Sequence, residues 1–324
     1  MGMKQILVMM VAVGVVGCSK DTPETSQAAE AEPQVASKPT PVSPADEKLI
    51  ADPIVEKAVR KSLNKPEGEL TEADLKKVRE ISIYWTQITD AGLIEVAKLQ
   101  QLTRLDLDAI QITDAGLMEV AKLQKLEVLS LSAKKITDAG LIEVAKLQKL
   151  TRLSLGRTQI TDKGLKEVAK LQQLEWLSLD KTQITDAGLR ELAKLQKLRE
   201  LYLMDTKITD AGLKELVNLK QLARLDLGGT QITDESLKEV AKLQQLIMLI
   251  LTSPQITDAG LKEVAKLKQL TYLSLSDTQI SDAGLKDVAK LQSLKKLFLE
   301  RTKITDAGLA ELQRALPNCE IYGP

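Results

Sequence analysis

Histidine is absent from the 324 residues of this chain. It is the side chain that most often serves as a general base near neutral pH, as a zinc ligand and as the activator of serine or cysteine nucleophiles. Its absence argues against every hydrolase that depends on imidazole. A glycosidase-type mechanism needs two carboxylates working in a pocket, and the sequence indicates no such pair, so we expect no catalytic residue and no enzymatic activity.

Cysteine is nearly as scarce, with only Cys18 and Cys319. Two cysteines this far apart build neither a disulfide framework nor a metal site within one domain, and we expect no metal and no cofactor. An excess of one charge is also lacking, since 45 basic residues balance 45 acidic ones and both signs are mixed along the chain. Without a basic face, we expect no nucleic-acid partner.

The N-terminal apolar run from Ile6 to Val16 is too short to span a bilayer comfortably. It follows Lys4 and ends in small residues before Cys18, as secretory signals do. The ending resembles the bacterial lipoprotein signal, which implies a signal peptide over 1–17 and lipid attachment at Cys18. The acyl chains would then hold the protein on the cell envelope without a membrane helix, at the outer membrane where the host has two membranes. The alternative is an ordinary cleaved signal, which predicts a secreted protein.

Composition divides the rest of the chain into three parts. Residues 18–45 are rich in Pro, Ala, Ser, Thr and Glu, bury too little surface to fold, and are predicted to form a disordered tether. Residues 46–80 contain a helix start at Asp52 and a capping box from Thr71 to Asp74, which predict a small helical N-terminal cap. Residues 81–324 carry the repeats.

The hexapeptide Ile-Thr-Asp-Ala-Gly-Leu, with small variations, recurs every 24 residues from Ile88 to Ile304 without an insertion. A period of this length with regularly placed leucines indicates a solenoid of one strand and one helix per unit. In one such unit, Leu107 turns inward from a strand, and Thr113 or Asp114 caps the helix that follows.

The repeat pattern LxxLxLxxTxITDxGLxxVAxL resembles a leucine-rich repeat over about residues 81–322. The resemblance implies an α/β fold, a right-handed horseshoe with a concave parallel sheet and short convex helices. Thr158 and its equivalents stand where many members have a turn-bonding asparagine, and a threonine hydroxyl could do part of that work. Irregular turns are expected where this threonine is missing, at Ile110, Lys134 and Pro254. The subtype is similar to the repeats of F-box ubiquitin-ligase receptors, but no F-box segment is evident, and that function is not carried over.

The C-terminal segment 316–321 departs from the 24-residue count and is expected to form a closing strand. Cys319 is expected to pack there as a small apolar residue. Arg104, Asp106 and Asp108 alternate along the second strand and predict either a solvated ion pair or, less simply, a cation site. Three apolar residues stack on the convex helices, where the cap or tether covers them or another contact forms: Ile94, Met118 and Ile142.

Aromatic residues make up only 2% of the chain, and all seven fall on or beside the predicted strands. Alignment of the repeats places several of them, with other apolar residues, on the concave face: Trp176, Tyr202, Met204, Met248, Ile250, Tyr272 and Phe298. Charged residues are expected to rim this surface, chiefly Arg152, Arg224 and Asp226, with Glu200 and Lys296. Aromatic, methionine and arginine side chains are enriched at interfaces, so we predict a protein- or peptide-binding module. Concave surfaces of this kind also accept glycans, although the sequence does not indicate one. The alternative is a structural spacer whose concave residues vary freely.

Overall fold

The computed structural model describes residues 48–109 and 111–323. The predicted signal peptide, the tether, Cys18 and Ile110 lie outside these residues. Within them, no helix is long and apolar enough to cross a membrane.

The strands form one parallel sheet in which each strand pairs only with its neighbours in the sequence. Partners are offset by 24 residues, as between Leu177 and Leu201. The strands are β1 Glu80–Thr86, β2 Arg104–Ala109, β3 Val128–Leu131, β4 Arg152–Ser154, β5 Trp176–Ser178, β6 Glu200–Tyr202, β7 Arg224–Asp226, β8 Met248–Ile250, β9 Tyr272–Ser274, β10 Lys296–Phe298 and β11 Glu320–Tyr322.

A short helix follows every strand from β1 to β10, and neighbouring helices pack side by side on the opposite face of the array. These helices are α3 Asp90–Val96, α4 Asp114–Val120, α5 Asp138–Val144, α6 Asp162–Val168, α7 Asp186–Leu192, α8 Asp210–Leu216, α9 Leu237–Val240, α10 Asp258–Val264, α11 Asp282–Val288 and α12 Asp306–Ala315. This is the predicted leucine-rich repeat solenoid.

The core between sheet and helices is aliphatic. Leu105 and Ile112 are fully buried, and Leu107 is 1% exposed. Each such side chain contributes about 1.5–3 kcal/mol on burial. A single repeat would leave its flanks open to water, so the core closes only through stacking.

A ladder of hydrogen bonds joins consecutive repeats at the turn before each helix. The Asp138 carboxylate accepts from the Thr161 hydroxyl at 2.6 Å and from the Thr161 backbone N–H at 2.7 Å. The Thr161 oxygen in turn accepts from the Lys163 N–H and caps α6. Of the two residues that the sequence offers as the helix cap, the threonine is therefore the one that caps the helix. The aspartate binds the next repeat. We call the nine pairs the Asp–Thr ladder, which runs Asp90–Thr113, Asp114–Thr137, Asp138–Thr161, Asp162–Thr185, Asp186–Thr209, Asp210–Thr233, Asp234–Thr257, Asp258–Ser281 and Asp282–Thr305.

The glycine of the hexapeptide makes room for this ladder. A Cβ atom at Gly164 would lie 2.5 Å from Asp138 Oδ1 and 2.7 Å from Leu141 Cδ1. Ser236 occupies the equivalent place in one repeat, where a 3₁₀ turn over Asp234–Ser236 precedes α9. The Ser236 hydroxyl donates to the Thr233 carbonyl at 2.8 Å, so a side chain is accommodated there with a local change of helix geometry.

The N-terminal cap consists of α1 Pro53–Leu63 and α2 Glu72–Leu75. The Asp52 carboxylate caps α1 and also lies beside Gly92, where a Cβ would be 3.0 Å from it. Asp52 thereby lies beside this glycine as the preceding repeat's aspartate does elsewhere. The predicted capping box at Thr71 and Asp74 is present.

The threonine turns have the predicted bonding. The Thr158 hydroxyl donates to the Leu155 carbonyl at 2.7 Å, and the preceding Arg157 is left-handed with φ of 61°. At Lys134 and Pro254 the turn differs as expected, because the small preceding residues, Ala133 and Ser253, are buried in place of the threonine. The residue before proline is also restricted to extended backbone.

The closing strand β11 is present as predicted, and its pairing with β10 keeps the 24-residue offset, with Phe298 opposite Tyr322. The segment before it does depart from the count, because the buried Leu316 and Cys319 stand 25 residues after the buried Leu291 and Leu294. Cys319 is buried in the core as predicted, and burial raises the pKa of its thiol.

Candidate binding surface

The concave face presents two main columns of side chains, because residues on either side of each strand's buried leucine point away from the core. The first column contains Glu80, Arg104, Val128, Arg152, Trp176, Glu200, Arg224, Met248, Tyr272, Lys296 and Glu320. The second contains Ser82, Asp106, Ser130, Ser154, Ser178, Tyr202, Asp226, Ile250, Ser274, Phe298 and Tyr322.

One aromatic group lies across β5 and β6. The rings of Trp176 and Tyr202 have centroids 5.4 Å apart and are tilted by 43°. The Arg152 guanidinium carbon lies 4.8 Å from the Trp176 ring centroid, which is a cation–π distance. The structure thus brings together three of the predicted site residues.

A second aromatic group lies across β9 to β11. The ring centroids of Tyr272 and Phe298 are 5.1 Å apart, and Phe298 stacks on Tyr322 at 4.6 Å. Tyr322 is not among the predicted surface residues, although its strand keeps the 24-residue register. Adding 24 to the number of Phe298 would have found it.

Apolar and charged side chains lie between the two aromatic groups. Met248 and Ile250 are half-buried on β8. On β7, Arg224 Nη1 binds Glu200 Oε1 at 2.9 Å, and the Tyr202 hydroxyl donates to Glu200 Oε2 at 3.0 Å. The predicted rim residue Arg224 is therefore already paired with a neighbouring strand.

Asp226 does not lie on the rim, contrary to the prediction. It is only 9% exposed, in the floor of the surface between Tyr202 and Ile250. Its Oδ1 accepts from the Gly228 N–H at 2.8 Å. Burial raises the pKa of Asp226 to about 6, and the nearby charges of Asp180 and Asp205 add to the increase.

Asp180 and Asp205 follow β5 and β6 and were not predicted from the sequence. The Asp180 carboxylate accepts from the Ser178 hydroxyl and from the Met204 N–H, each at 2.9 Å. Burial raises the pKa of Asp180 as well. Asp205 is exposed, with its carboxylate 3.6 Å from Lys181 Nζ. Met204 itself is half-buried at the edge of the surface.

The other predicted candidates are resolved as follows. Arg104 Nε binds Asp106 at 2.8 Å, and the Ser82 hydroxyl adds a bond at 3.0 Å. The predicted ion pair is thus present. Its arginine side chain is 43% exposed, whereas Asp106 is buried. Among the residues described, no group of three or more potential metal ligands occurs. Three apolar side chains on the convex helices are exposed, namely Ile94, Met118 and Ile142.

Comparisons with known proteins agree with this fold. A leucine-rich repeat family model matches residues 146–169, 194–217, 222–241 and 267–289. An internalin of Listeria monocytogenes has a similar structure, with a TM-score of 0.54 and 23% identity over 85% of this chain and 95% of that one. Internalin C2 of the same species has a TM-score of 0.51 and 29% identity over 79% of this chain and 95% of that one. A search of curated proteins finds no match. The chain therefore carries leucine-rich repeats in a solenoid similar to that of internalins.

Proposed function

We propose that the chain is a non-catalytic binding module that holds a protein or peptide partner on its concave face. Leucine-rich repeat proteins generally bind proteins. The observation that carries the proposal for this chain is the pair of aromatic groups, Trp176 with Tyr202 and Tyr272 with Phe298 and Tyr322.

The geometry of these groups suits a polypeptide ligand. From β5 to β11 the surface extends over six strand spacings, or about 29 Å at ~4.8 Å each. An extended segment of about nine residues has this length. The aromatic side chains are fixed to a rigid sheet, so binding would order few groups on this side of the interface.

A structural spacer is the second candidate, and the Asp–Thr ladder favours it. Nine equivalent rungs make a rigid rod whatever the concave residues are. This role does not need the aromatic residues to gather on neighbouring strands, whereas binding does.

We further propose that the protein is displayed on the cell envelope through a lipid on Cys18, after removal of residues 1–17. Growth with an alkyne fatty acid tests this, because the wild-type chain should become labelled and Cys18→Ser should not. A wild-type chain that stays unlabelled and appears in the medium would instead indicate a secreted protein.

Affinity capture from the native envelope tests the binding function. The bait is the chain from Ser19 onward, compared with a variant carrying Trp176→Ala, Tyr202→Ala and Tyr272→Ala. A matched control replaces the convex residues Ile94, Met118 and Ile142 by alanine. We expect the concave variant to lose the partner and the convex variant to retain it, with both folded. Equal capture by all three baits contradicts the proposal.

A further inference from the structure

We propose, on the basis of the binding function above, that the concave face recognises a polypeptide segment whose lysine or arginine side chain enters between Tyr202 and Ile250 and pairs with Asp226. The partner is thus a protein segment with a basic residue flanked by apolar or aromatic residues.

Another strand of the chain, β2, shows how an aspartate at the position equivalent to Asp226 can be paired. The sequence Arg-Leu-Asp-Leu begins both β2 and β7, and in β7 its last leucine follows the strand. In β2, Arg104 turns to Asp106 and binds it at 2.8 Å. In β7, the equivalent Arg224 binds Glu200 on β6 instead. The same four residues therefore leave one aspartate paired and the other without its arginine.

Asp226 has no other cation to replace Arg224 among residues 48–109 and 111–323. The one hydrogen bond it receives there comes from the Gly228 backbone, a neutral donor. Buried carboxylates are ordinarily paired, because removal from water is costly without a partner. A residue that is nine-tenths buried and lacks a cation is a candidate for pairing with a ligand.

The surrounding charges favour a cation. Asp180 lies close enough to repel Asp226, and so does Asp205. Lys181 is 3.6 Å from Asp205, and Arg224 is 2.9 Å from Glu200, so both cations offset other carboxylates. Lys181 also acts on Asp180, so Asp226 is the carboxylate of this group whose charge no described cation offsets.

The side chains on either side of Asp226 favour a cationic group that is carried on a long apolar stem. Tyr202 and Ile250 stand directly beside Asp226 on the neighbouring strands, about 4.8 Å away on each side. The long apolar stems of lysine and arginine pack against such walls while the charged head reaches the carboxylate. Apolar residues next to the basic residue would contact Trp176 on one side and Tyr272 on the other.

The probe for the test is a random library of 12-residue peptides, selected at pH 7.5 on the full chain. The chain has only two tryptophans, so Trp85→Phe leaves Trp176 as a fluorescent reporter on the surface. We expect the enriched peptides to carry a lysine or arginine beside apolar residues. Replacing that residue by norleucine should weaken binding at least tenfold, as should Asp226→Asn in the protein.

Three further measurements make the test specific. The norleucine peptide should bind wild-type protein and Asp226→Asn equally, because the pair is already broken. Asp106→Asn, a matched change in the same column, should leave affinity unchanged. Affinity should fall between pH 7.5 and pH 5, since Asp226 becomes protonated over that range.

The outcomes separate this inference from the binding function on which it rests. Peptides that show no basic preference, yet lose binding in the Trp176→Ala, Tyr202→Ala and Tyr272→Ala variant, overturn the role of Asp226 alone. Peptides that bind this variant as well as wild type, or a library without any enriched peptide, overturn both.

Discussion

The ladder side and the concave face of the solenoid are made from the same 24-residue unit, yet they differ in how much they vary. At the ladder, the same two hydrogen bonds recur from Asp90–Thr113 to Asp282–Thr305. On the concave face, the second column changes at every strand from β5 to β10, in the order serine, tyrosine, aspartate, isoleucine, serine and phenylalanine. Since the framework keeps its geometry through these changes, the concave residues are free to serve a ligand.

The largest effect should come from crowding the ladder at a glycine. Gly164→Ala places a Cβ 2.5 Å from Asp138 Oδ1 and should destabilise the fold by about 2–3 kcal/mol. Gly156→Ala is the control on the strand side of the same repeat, where the nearest atom is 3.5 Å away, and its effect should stay within about 1 kcal/mol. Urea unfolding measures both, and equal losses would show that the ladder side is not the tighter one.

Removing one rung should cost somewhat less. Thr185→Val keeps the shape of the side chain but loses the 2.6 Å bond to Asp162 and the cap on the Ala187 N–H. We expect a loss of about 1–2 kcal/mol, because the Asp162 oxygen is left without its donor. Thr151→Val, which loses a single 3.2 Å bond to a carbonyl, should change the unfolding free energy by less than half as much. A harmless Thr185→Val would contradict the ladder's role.

Unlike the two substitutions above, Asp226→Asn should stabilise the fold. The folded state raises the pKa of Asp226 to about 6 from a usual value of 3.8, so the native protein binds its proton more tightly than the unfolded chain. The contribution of this group to stability is full below about pH 4 and is lost as pH rises through 6. Asp226→Asn should therefore stabilise the protein by roughly 1 kcal/mol at pH 7.5 and have no effect near pH 4.

Asp106 is paired with Arg104, so its substitution should change stability in the other direction. Asp106→Asn breaks the ion pair with Arg104 and should destabilise the protein at pH 7.5, where Asp226→Asn stabilises it. Urea unfolding of both variants at the two pH values checks this difference. A loss of stability in both at pH 7.5 would mean that Asp226 has a cationic partner within the chain.

The smallest effect is expected on the convex surface. Lys170 and Glu167 form an exposed pair at 2.6 Å, one of a series along the helices. Such pairs contribute only tenths of a kcal/mol, so Lys170→Ala should change the unfolding free energy by less than about 0.5 kcal/mol. A larger loss would show that charges on this face help to hold the repeats together.

The fold was predictable because every repeat has the same pattern of buried residues. Leu107, Ile112 and Leu117 have the same spacing in each unit, so a single interpretation explains ten helices and eleven strands. The ladder was only half predicted. Asp114 and Thr113 both looked like caps, and the bond from Asp114 to Thr137 becomes visible only once successive repeats are stacked.

The site was predictable in its aromatic part and not in its charges. Aligning the repeats predicts the positions of Trp176 and Tyr202, because side chains on either side of the buried leucine lie on the concave face. Whether Asp226 has a cationic partner depends on its neighbours, since Arg224 could bind either Asp226 or Glu200. Asp226 lies on the same strand as Arg224, and Glu200 lies 24 residues earlier on the neighbouring strand. Sequence alone does not decide which of the two Arg224 binds.

A graft within the chain tests the central claim most directly. Trp176→Val, Tyr202→Ser, Tyr272→Arg and Phe298→Ser together replace the aromatic residues by those that β3 and β4 already carry in the same columns, so the framework should accept them. Thermal unfolding and envelope capture are measured on the same preparation. We predict a melting temperature within a few degrees of wild type and complete loss of the captured partner. A folded graft that captures the same partner equally well would contradict the account.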